Sequence, residues 1–280
     1  LFPTVVPLYR SLGWEVVGTL DDTRLATRDL APAPADTDCT VRTGEPDRDA
    51  ATIEALYDGW AAAGAGGLTR RGRLFPGGAA DAFASSLVSL AAGPDGTTRG
   101  FVTYDRGRGY RGGEGELRVW ELVAADAGAA RALLGSLARW HPVASTVLWR
   151  GPTAGLQRLV GAAVPPPVTT QPWMLRVVDP VAAVDARGFP ERVSAQASFV
   201  LDDPQQPQVC QAWQLEVSGG RGALSPTGTA AARLHVRGLA LLYAGAATGD
   251  DLRRAGLLDG DLPGLDAAFA GPAPALLDYF

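Results

Sequence analysis

The order of predicted elements over residues 100–149 constrains the fold of this chain more than any other feature. Residues 116–124 alternate apolar and polar side chains strictly enough to predict a half-buried strand. Residues 100–105 and 146–149 predict two more strands, and residues 127–140 predict a helix before the last of them. Two consecutive strands before the helix, in place of a regular strand–helix alternation, favour an α+β fold.

The length and the charge of the chain limit its size and its partners. Its 280 residues are enough for about two domains of ~100–200 residues each. The formal net charge of −5 argues against nucleic acid and anionic membranes as partners, and it favours a cationic ligand. No apolar run approaches the ~18–20 residues that a membrane-spanning helix needs. We therefore expect a cytoplasmic protein, with secretion left open because the chain does not begin with Met.

Cysteine and histidine are too few and too scattered to predict a metal site. Cys39 and Cys210 lie far apart without a Cys-x-x-Cys spacing, so two reduced thiols are expected. His141 and His235 have no Asp, Glu or Cys at the spacing of metal ligands, and no Ser-His-Asp set can be drawn. We expect no metal.

Two proline-rich segments predict boundaries on either side of the central region. Residues 31–38 have no apolar period and predict a linker, and the three prolines at 165–167 predict a second boundary. Between them, residues 48–63 predict a helix whose apolar stripe consists of Ile53, Leu56, Tyr57 and Trp60. A Gly/Arg-rich loop is expected at residues 64–78. Beyond the second boundary we expect a strand and short helix (173–188), a hairpin (197–217) and two further strands (223–227 and 232–236). Helices are expected at 238–245, after Asp250 as its N-cap, and at 265–270.

The first 14 residues predict a short helix with a defined end. Thr4 is placed to cap the helix, Pro7 falls in its first turn, and Gly13 supplies the left-handed residue that ends it. Leu8 and Leu12 lie four residues apart and share one face. The simplest interpretation is an amphipathic helix that docks on a sheet.

Residues 7–14, Pro-Leu-Tyr-Arg-Ser-Leu-Gly-Trp, resemble the late helix of GNAT-superfamily N-acetyltransferases. The resemblance implies that Tyr9 is the general acid for the leaving thiolate, and that Thr4 and Tyr9 contact acetyl-CoA. A phenol suits this task because its unperturbed pKa near 10 keeps it protonated at neutral pH. Residues 15–30 predict two strands around an Asp21–Asp22 turn that complete the same domain. In the superfamily this helix follows the coenzyme-binding core, so we expect a chain that starts late in a catalytic domain and is inactive as given.

The central region again resembles a GNAT domain, but its coenzyme turn departs from the pattern. Functional members carry Arg/Gln-x-x-Gly-x-Gly/Ala between the central strand and the next helix, where backbone amides hold the pyrophosphate. Residues 124–131 read Ala-Ala-Asp-Ala-Gly-Ala-Ala-Arg, with one glycine (Gly128) and an anionic Asp126 where a phosphate would approach. Asp126 is better suited to cap the helix. We expect a degenerate domain that does not bind coenzyme A.

Three segments resemble the Eis (enhanced intracellular survival) family: residues 173–189, residues 265–270 and the aromatic Phe280 terminus. The resemblance implies an active GNAT domain, a degenerate GNAT domain and a sterol-carrier-protein-like α/β domain, in that order. It also implies an acetyl-CoA-dependent N-acetyltransferase, often hexameric, whose members in some cases acetylate aminoglycosides. The corresponding domains here are residues 1–38, a remnant of the first domain plus the linker; residues 39–165, the degenerate domain; and residues 166–280.

The same resemblance implies that the terminal carboxylate of Phe280 is the general base. The tail supports a docked position independently, because it is apolar and two prolines stiffen its approach, whereas most C-termini are polar and frayed. A terminal segment docked only for packing remains an alternative. Asp278 and Tyr279 are the expected contacts of a cationic substrate.

The leading hypothesis is acetyl transfer from acetyl-CoA to a primary amine of a cationic small molecule, by a homo-oligomer. Two alternatives stay open: a non-catalytic module of sterol-carrier type that binds an apolar ligand or assembles, and an acetyltransferase of protein lysines or polyamines.

Overall fold

The computed structural model describes residues 1–73, 75–78, 83, 86–107 and 115–279. The chain forms two compact units, each built from two stretches of sequence. Unit 1 contains residues 1–18 and 172–274, and unit 2 contains residues 19–171 and 275–280. In the described ranges no helix is both long and apolar enough to cross a bilayer.

In chain order the helices and strands are α1 (Val6–Ser11), β1 (Glu15–Ala26), a 3-10 turn (Thr27–Leu30), β2 (Thr40–Thr43), α2 (Pro46–Ala63), β3 (Leu87–Ala92), β4 (Thr98–Arg106), β5 (Glu116–Ala124), α3 (Ala127–Ala138), β6 (Thr146–Arg150), α4 (Ala154–Leu159), β7 (Thr169–Leu175), α5 (Pro180–Ala186), β8 (Ala195–Asp202), a 3-10 turn (Pro207–Val209), β9 (Ala212–Ser218), β10 (Arg221–Pro226), β11 (Ala232–His235), α6 (Val236–Ala244), α7 (Gly249–Arg254), β12 (Leu258–Gly260) and α8 (Leu265–Phe269).

Unit 2 is built on a mixed sheet with the strand order β2-β3-β4-β5-β6-β1-β7. Neighbours from β2 to β5 are antiparallel, and β5 and β6 are parallel because α3 crosses over between them. The β5–β6 ladder runs from the pair Glu116–Thr146 to the pair Val119–Trp149. Beyond that pair β5 continues to Ala124, so the two strands part and leave a cleft.

A β-bulge at Trp120 decides which way the second half of β5 faces. Val119 pairs with Tyr104 while Glu121 pairs with Thr103, so Trp120 is the extra residue. The extra residue reverses the side-chain alternation. Val119 therefore packs in the cluster under α3, whereas Val123 packs in the cluster under α2, and Glu121 shares the face of Val123.

Helices cover both faces of this sheet. On one face, Ile53 and Tyr57 of α2 pack on strands β3 to β5, with Leu56 and Trp60 half-buried beside them. This confirms the predicted apolar stripe. On the other face, α3 buries its alanines and leucines against the sheet. Asp126 caps α3, accepting a hydrogen bond from the Ala129 amide at 2.8 Å, as predicted.

Unit 1 carries a second mixed sheet, with the order β10-β9-β8-β11-β12. The predicted hairpin is confirmed as the antiparallel β8–β9 pair, while β11 runs parallel to β8. Large side chains from the sheet and from α5 to α8 fill one core, among them Phe199, Trp213, Leu239 and Phe269.

Three local predictions are wrong. Thr4 is exposed and does not cap α1, which begins after Val5 without a side-chain cap. Residues 15–30 form one strand and a 3-10 turn in place of two strands, because Asp22 lies within the strand and accepts hydrogen bonds from Arg150 at 2.9 and 3.0 Å. Helix α7 is capped by Thr248 through a capping box, not by Asp250.

Candidate functional site

The end of α1 holds Tyr9 in a fixed backbone geometry. Gly13 has φ +83°, as predicted for the residue that ends the helix. The Trp14 amide donates to the Tyr9 carbonyl at 3.1 Å and the Gly13 amide donates to the Arg10 carbonyl at 3.1 Å. These two bonds are a Schellman motif, in which the residue after the glycine packs on the last helical turn. The Trp14 ring accordingly meets the half-buried Tyr9 ring edge-on, with the ring centroids 6.5 Å apart.

Arg176 fixes the same helix end from the β7 side. One guanidinium nitrogen donates to the Leu12 carbonyl, and Nη2 donates to both carboxylate oxygens of Asp203, at 2.8 and 3.1 Å. The Arg176 side chain is only 7% exposed and that of Asp203 is 1% exposed. The carbonyl at the end of α1 is thus tied to a buried ion pair.

Glu15 anchors the start of β1, directly after the Tyr9 segment. Its carboxylate accepts hydrogen bonds from Arg10 Nε and Arg237 Nε, each at 2.8 Å, and from the Val16 amide at 2.9 Å. Burial acts to raise the pKa of Glu15, but the bonds from Arg10, Val16 and Arg237 outweigh it and the pKa is lowered. The carboxylate stays charged and holds both arginines.

The apolar face of α1 is exposed. Val5, Leu8 and Leu12 expose 53%, 55% and 41% of their surface, and α1 contains no buried residue. The expected docking of Leu8 and Leu12 on a sheet is therefore wrong for the described chain.

The C-terminal segment is docked on unit 2. The Ala275 amide donates to the Ala65 carbonyl at 2.7 Å, and Leu276 and Leu277 are buried. The expectation of a docked tail is therefore confirmed for residues 275–278, and Phe280 lies outside the described residues. Tyr279 is exposed and makes a contact of its own.

Asp278 belongs to a buried cluster of charged and aromatic side chains. Arg70 Nη2 lies 2.9 Å from Asp278 Oδ1 and 2.8 Å from Glu121 Oε2, and Arg70 Nε donates to Asp278 Oδ1 at 3.0 Å. The Tyr57 hydroxyl donates to Asp278 Oδ2 at 3.1 Å. The Arg70 guanidinium also stacks on the Tyr57 ring, 3.7 Å from its centroid. One arginine therefore bridges the tail to β5.

The environment of this cluster shifts three of its pKa values. Burial raises the pKa of Glu121, and Arg70 only partly offsets it. Burial and the nearby Asp278 raise the pKa of Tyr57, so the phenol stays neutral. Burial acts against the charge of Arg70, but Glu121 and Asp278 outweigh it and raise the pKa of the guanidinium.

Sequence reasoning did not find Arg70 or Glu121. The available signal was a carboxylate in β5 at a position where the alternation of Leu117, Val119 and Val123 calls for an apolar side chain. A charged residue at such a position needs a buried partner.

The cleft between the parting strands β5 and β6 has a volume of ~290 Å³ and a largely apolar lining. Leu122, Trp149, Leu156 and the tail residue Leu277 are among the side chains that line it. A coenzyme pyrophosphate does not fit the adjoining helix start, because the Asp126 carboxylate already accepts the Ala129 amide there and would repel phosphate.

The histidines and cysteines do not form a site. The His235 ring accepts a hydrogen bond from the Arg237 amide and caps α6, and Cys39 and Cys210 are free thiols. Among the described residues no group of three potential metal ligands lies together.

Comparison with known proteins identifies both parts of the chain. Residues 66–177 match the family model of the acetyltransferase (GNAT) domain, and residues 168–277 match that of the sterol carrier protein domain. A GCN5-related N-acetyltransferase from Kribbella flavida is 32% identical, over 100% of this chain and 69% of that one, with a TM-score of 0.84. The chain belongs to the GCN5-related N-acetyltransferase family.

Two solved structures of lower identity share the fold. A GCN5-related N-acetyltransferase from Anabaena variabilis is 22% identical with a TM-score of 0.87, and Eis1 from Mycobacterium abscessus is 24% identical with a TM-score of 0.72. Each match covers 100% of this chain and 72% of the other. The search of functionally curated proteins finds no match. The predicted mixed fold with a GNAT part and a sterol-carrier part is confirmed.

Proposed function

We propose that this chain is part of an Eis-type N-acetyltransferase that transfers acetyl from acetyl-CoA to a primary amine of a cationic small molecule, such as an aminoglycoside. The observation that carries the proposal is the 32% identity to a GCN5-related N-acetyltransferase over the whole chain. Acetyl transfer is the activity for which that family is named, and the finer assignments below are ours.

Tyr9 is the proposed general acid. Its backbone is fixed by the Schellman motif and its ring is braced by Trp14, while the ring remains half-exposed. A positioned phenol can give its proton to a departing thiolate. Thr4, exposed just before α1, is proposed beside it as a contact of the coenzyme.

The terminal carboxylate of Phe280 is the proposed general base. Bound acetyl-CoA supplies a thioester carbonyl, the amine nitrogen forms the new C–N bond, and the C–S bond breaks. The Phe280 carboxylate takes one proton from the ammonium group, and the Tyr9 hydroxyl protonates the sulfur. The second proton that the nitrogen loses as the amide forms restores the Tyr9 phenol. The docking of residues 275–278 supports this role, because a base must be held within hydrogen-bond reach of its proton.

The substrate is proposed to be a cation because the chain carries a net charge of −5. Tyr279, exposed at the end of the docked segment, is a proposed contact of that substrate. Asp278 was expected to make a similar contact, but Arg70 and Tyr57 already bind its carboxylate, so any role toward the substrate competes with theirs. A homohexamer in the cytoplasm is the proposed working form.

The decisive experiment measures thiol release from acetyl-CoA by the full-length protein with a panel of amines. Tyr9→Phe should lower kcat by about 10²–10⁴-fold, and one glycine added after Phe280 should do the same by moving the carboxylate. Tyr243→Phe is the matched control, because it removes a phenol elsewhere and should leave kcat unchanged. Undiminished turnover in either test variant would remove that residue from the mechanism.

The amine panel also separates the alternatives. Aminoglycosides, a polyamine and a lysine peptide are compared by kcat/KM, and a clear preference for the peptide would replace the small-molecule proposal. Sedimentation of the full-length protein tests the hexamer.

The sterol-carrier match favours one second candidate, binding of an apolar ligand by unit 1. The geometry gives it little support. The core of unit 1 is packed with side chains. A cavity of ~300 Å³ near α7 and α8 has a mixed lining, in which Asp251 and Asp266 lie beside Phe269. Saturable binding of a fluorescent fatty-acyl probe would support apolar-ligand binding by unit 1.

A further inference from the structure

The protein's own C-terminal segment contributes to the wall of the cleft in the GNAT-like sheet of unit 2. Leu277 lines the opening between β5 and β6, against the turn that follows β6. At this turn Gly151 has φ +103°, and a Cβ there would lie 2.8 Å from Leu277 Cδ2. The absence of a side chain at Gly151 makes room for the leucine.

We propose that residues 19–171 of unit 2 form a socket for residues 275–278, and that Arg70 and Glu121 are positioning residues that set where the end of the chain can act. The catalytic consequence rests on the proposed function, whereas the socket itself rests on contacts within unit 2.

Three independent parts of unit 2 hold the segment. The loop after α2 accepts the Ala275 amide at Ala65 and supplies Arg70 to Asp278, α2 supplies the Tyr57 hydroxyl to Asp278, and the turn after β6 receives Leu277. Contacts from separate elements fix both the position and the direction of a short peptide. A tail docked only by apolar packing would not need them.

The charges in the socket are arranged so that Asp278 is required. Arg70 lies within 3 Å of both Glu121 and Asp278, and these side chains are 18%, 6% and 13% exposed. Glu121 is oriented toward Arg70 by the bulge in β5 and is fixed in the sheet, whereas Asp278 arrives with the tail. When Asp278 leaves, the Tyr57 hydroxyl loses its hydrogen-bond acceptor and Arg70 loses one of its two carboxylate partners. Departure of the tail is opposed because it breaks these bonds and leaves the Tyr57 and Arg70 donors without an acceptor in a largely buried site.

The socket limits the reach of the last residue. Two residues of fully extended chain span about 7 Å at most. With Asp278 fixed, the terminal group therefore moves within a small volume, which raises its effective concentration at any site it serves. Release of Asp278 would leave Leu277 as the last held residue, free at least the three residues that follow it, and lower the effective concentration of the terminal group.

This assignment changes the role of Asp278 from substrate contact to tail anchor. Both of its carboxylate oxygens already accept hydrogen bonds, from Arg70 and from Tyr57. A cationic substrate would have to displace the Arg70 guanidinium, which two carboxylates and an aromatic face hold in place.

Hydrogen exchange of the full-length protein tests the socket directly. Asp278→Asn and Arg70→Met should each raise the exchange rate of the amides in the C-terminal peptide by about tenfold or more, with little change elsewhere for Asp278→Asn. Asp58→Asn is the matched control, because Asp58 pairs with Arg71 on the exposed side of α2. Unchanged exchange in Asp278→Asn would overturn the proposal. An equal increase in C-terminal amide exchange in Asp58→Asn would overturn it as well.

Kinetics then distinguish a positioning residue from a substrate contact, with acetyl-CoA and an aminoglycoside as probes. If the socket positions the terminal carboxylate, Asp278→Asn lowers kcat about tenfold and leaves KM for the amine unchanged. A raised KM for the amine with unchanged kcat would identify Asp278 as a substrate contact and overturn its role as an anchor of the tail. If the exchange result holds while deleting Phe280 leaves turnover intact, the socket stands and the terminal base fails.

Discussion

Trp14 packs edge-on against Tyr9, at a centroid distance of 6.5 Å and an interplanar angle of 86°. The contact depends on Gly13, whose φ of +83° turns the chain so that Trp14 comes back over the last helical turn. A Cβ at Gly13 would also overlap the Arg176 guanidinium. The orientation of the proposed acid therefore depends on a residue without a side chain.

Gly13→Ala should lower the free energy of unfolding by about 2 kcal/mol, from the left-handed strain and the displaced Arg176. It should also lower kcat while Tyr9 is still present, because the ring loses its brace. Gly188→Ala is the control, since a Cβ there meets open space and the stability should change by less than about 0.5 kcal/mol. Chemical denaturation and thiol-release assays measure both effects. An unchanged stability would mean that Gly13 is not held left-handed.

Glu121 gives the stability of unit 2 a pH dependence. Burial raises its pKa, so the folded state binds the proton more tightly than the unfolded state does. Its contribution to stability is complete below the unfolded pKa of about 4.3 and is lost as the pH rises through the folded value. Glu121→Gln cannot ionise, so it does not lose this stability as the pH rises. In this variant Arg70 still has Asp278 as an ion-pair partner.

The free energy of unfolding of Glu121→Gln, relative to wild type, should therefore rise between pH 4 and pH 8. Urea unfolding at several pH values measures the difference. The control is Glu54→Gln, which removes an exposed carboxylate paired with Arg71 and should give a difference that is nearly flat with pH. Parallel curves for Glu121→Gln and wild type would contradict the assignment.

Gly151 tests the packing of the tail independently of its charges. Gly151→Ala adds backbone strain at φ +103° and a Cβ 2.8 Å from Leu277, so it should lower stability by about 1–3 kcal/mol. Gly155→Ala, in α4 with open space around the new Cβ, should instead be neutral or stabilising by about 0.5–1 kcal/mol. Thermal unfolding of the two variants separates these outcomes, and equal shifts would argue against a tight Leu277 contact.

Local periodicity predicted most elements, because helices such as α2 and α3 bury a regular stripe. It could not predict the bulge at Trp120, since an extra residue in a ladder depends on the neighbouring strand. Strict alternation places Glu121 on the face of Val119, whereas the structure places it on the face of Val123. The charged cluster was missed for that reason.

Long-range pairing explains the other failures. Asp21 and Asp22 favour a turn when read locally, but Arg150, 128 residues away, binds Asp22 within a continuous strand. Thr4 has a side chain that can cap a helix, but α1 begins at Val6 and has Val5 at the cap position. The residues proposed for the candidate site follow from family resemblance, which spacing alone could not have supplied.

The Arg176–Asp203 pair offers the most direct test of how α1 is held. Asp203→Ala leaves a guanidinium that is 7% exposed without its carboxylate, which should lower the free energy of unfolding by about 3–5 kcal/mol. Asp185→Ala, an exposed carboxylate in α5, should change it by less than about 0.5 kcal/mol. Because Arg176 also binds the Leu12 carbonyl, hydrogen exchange in α1 should rise in Asp203→Ala and not in the control. The paired apolar substitution Arg176→Met with Asp203→Leu should recover much of the stability without restoring protection of α1, since it removes the buried charge but not the need for a donor at Leu12.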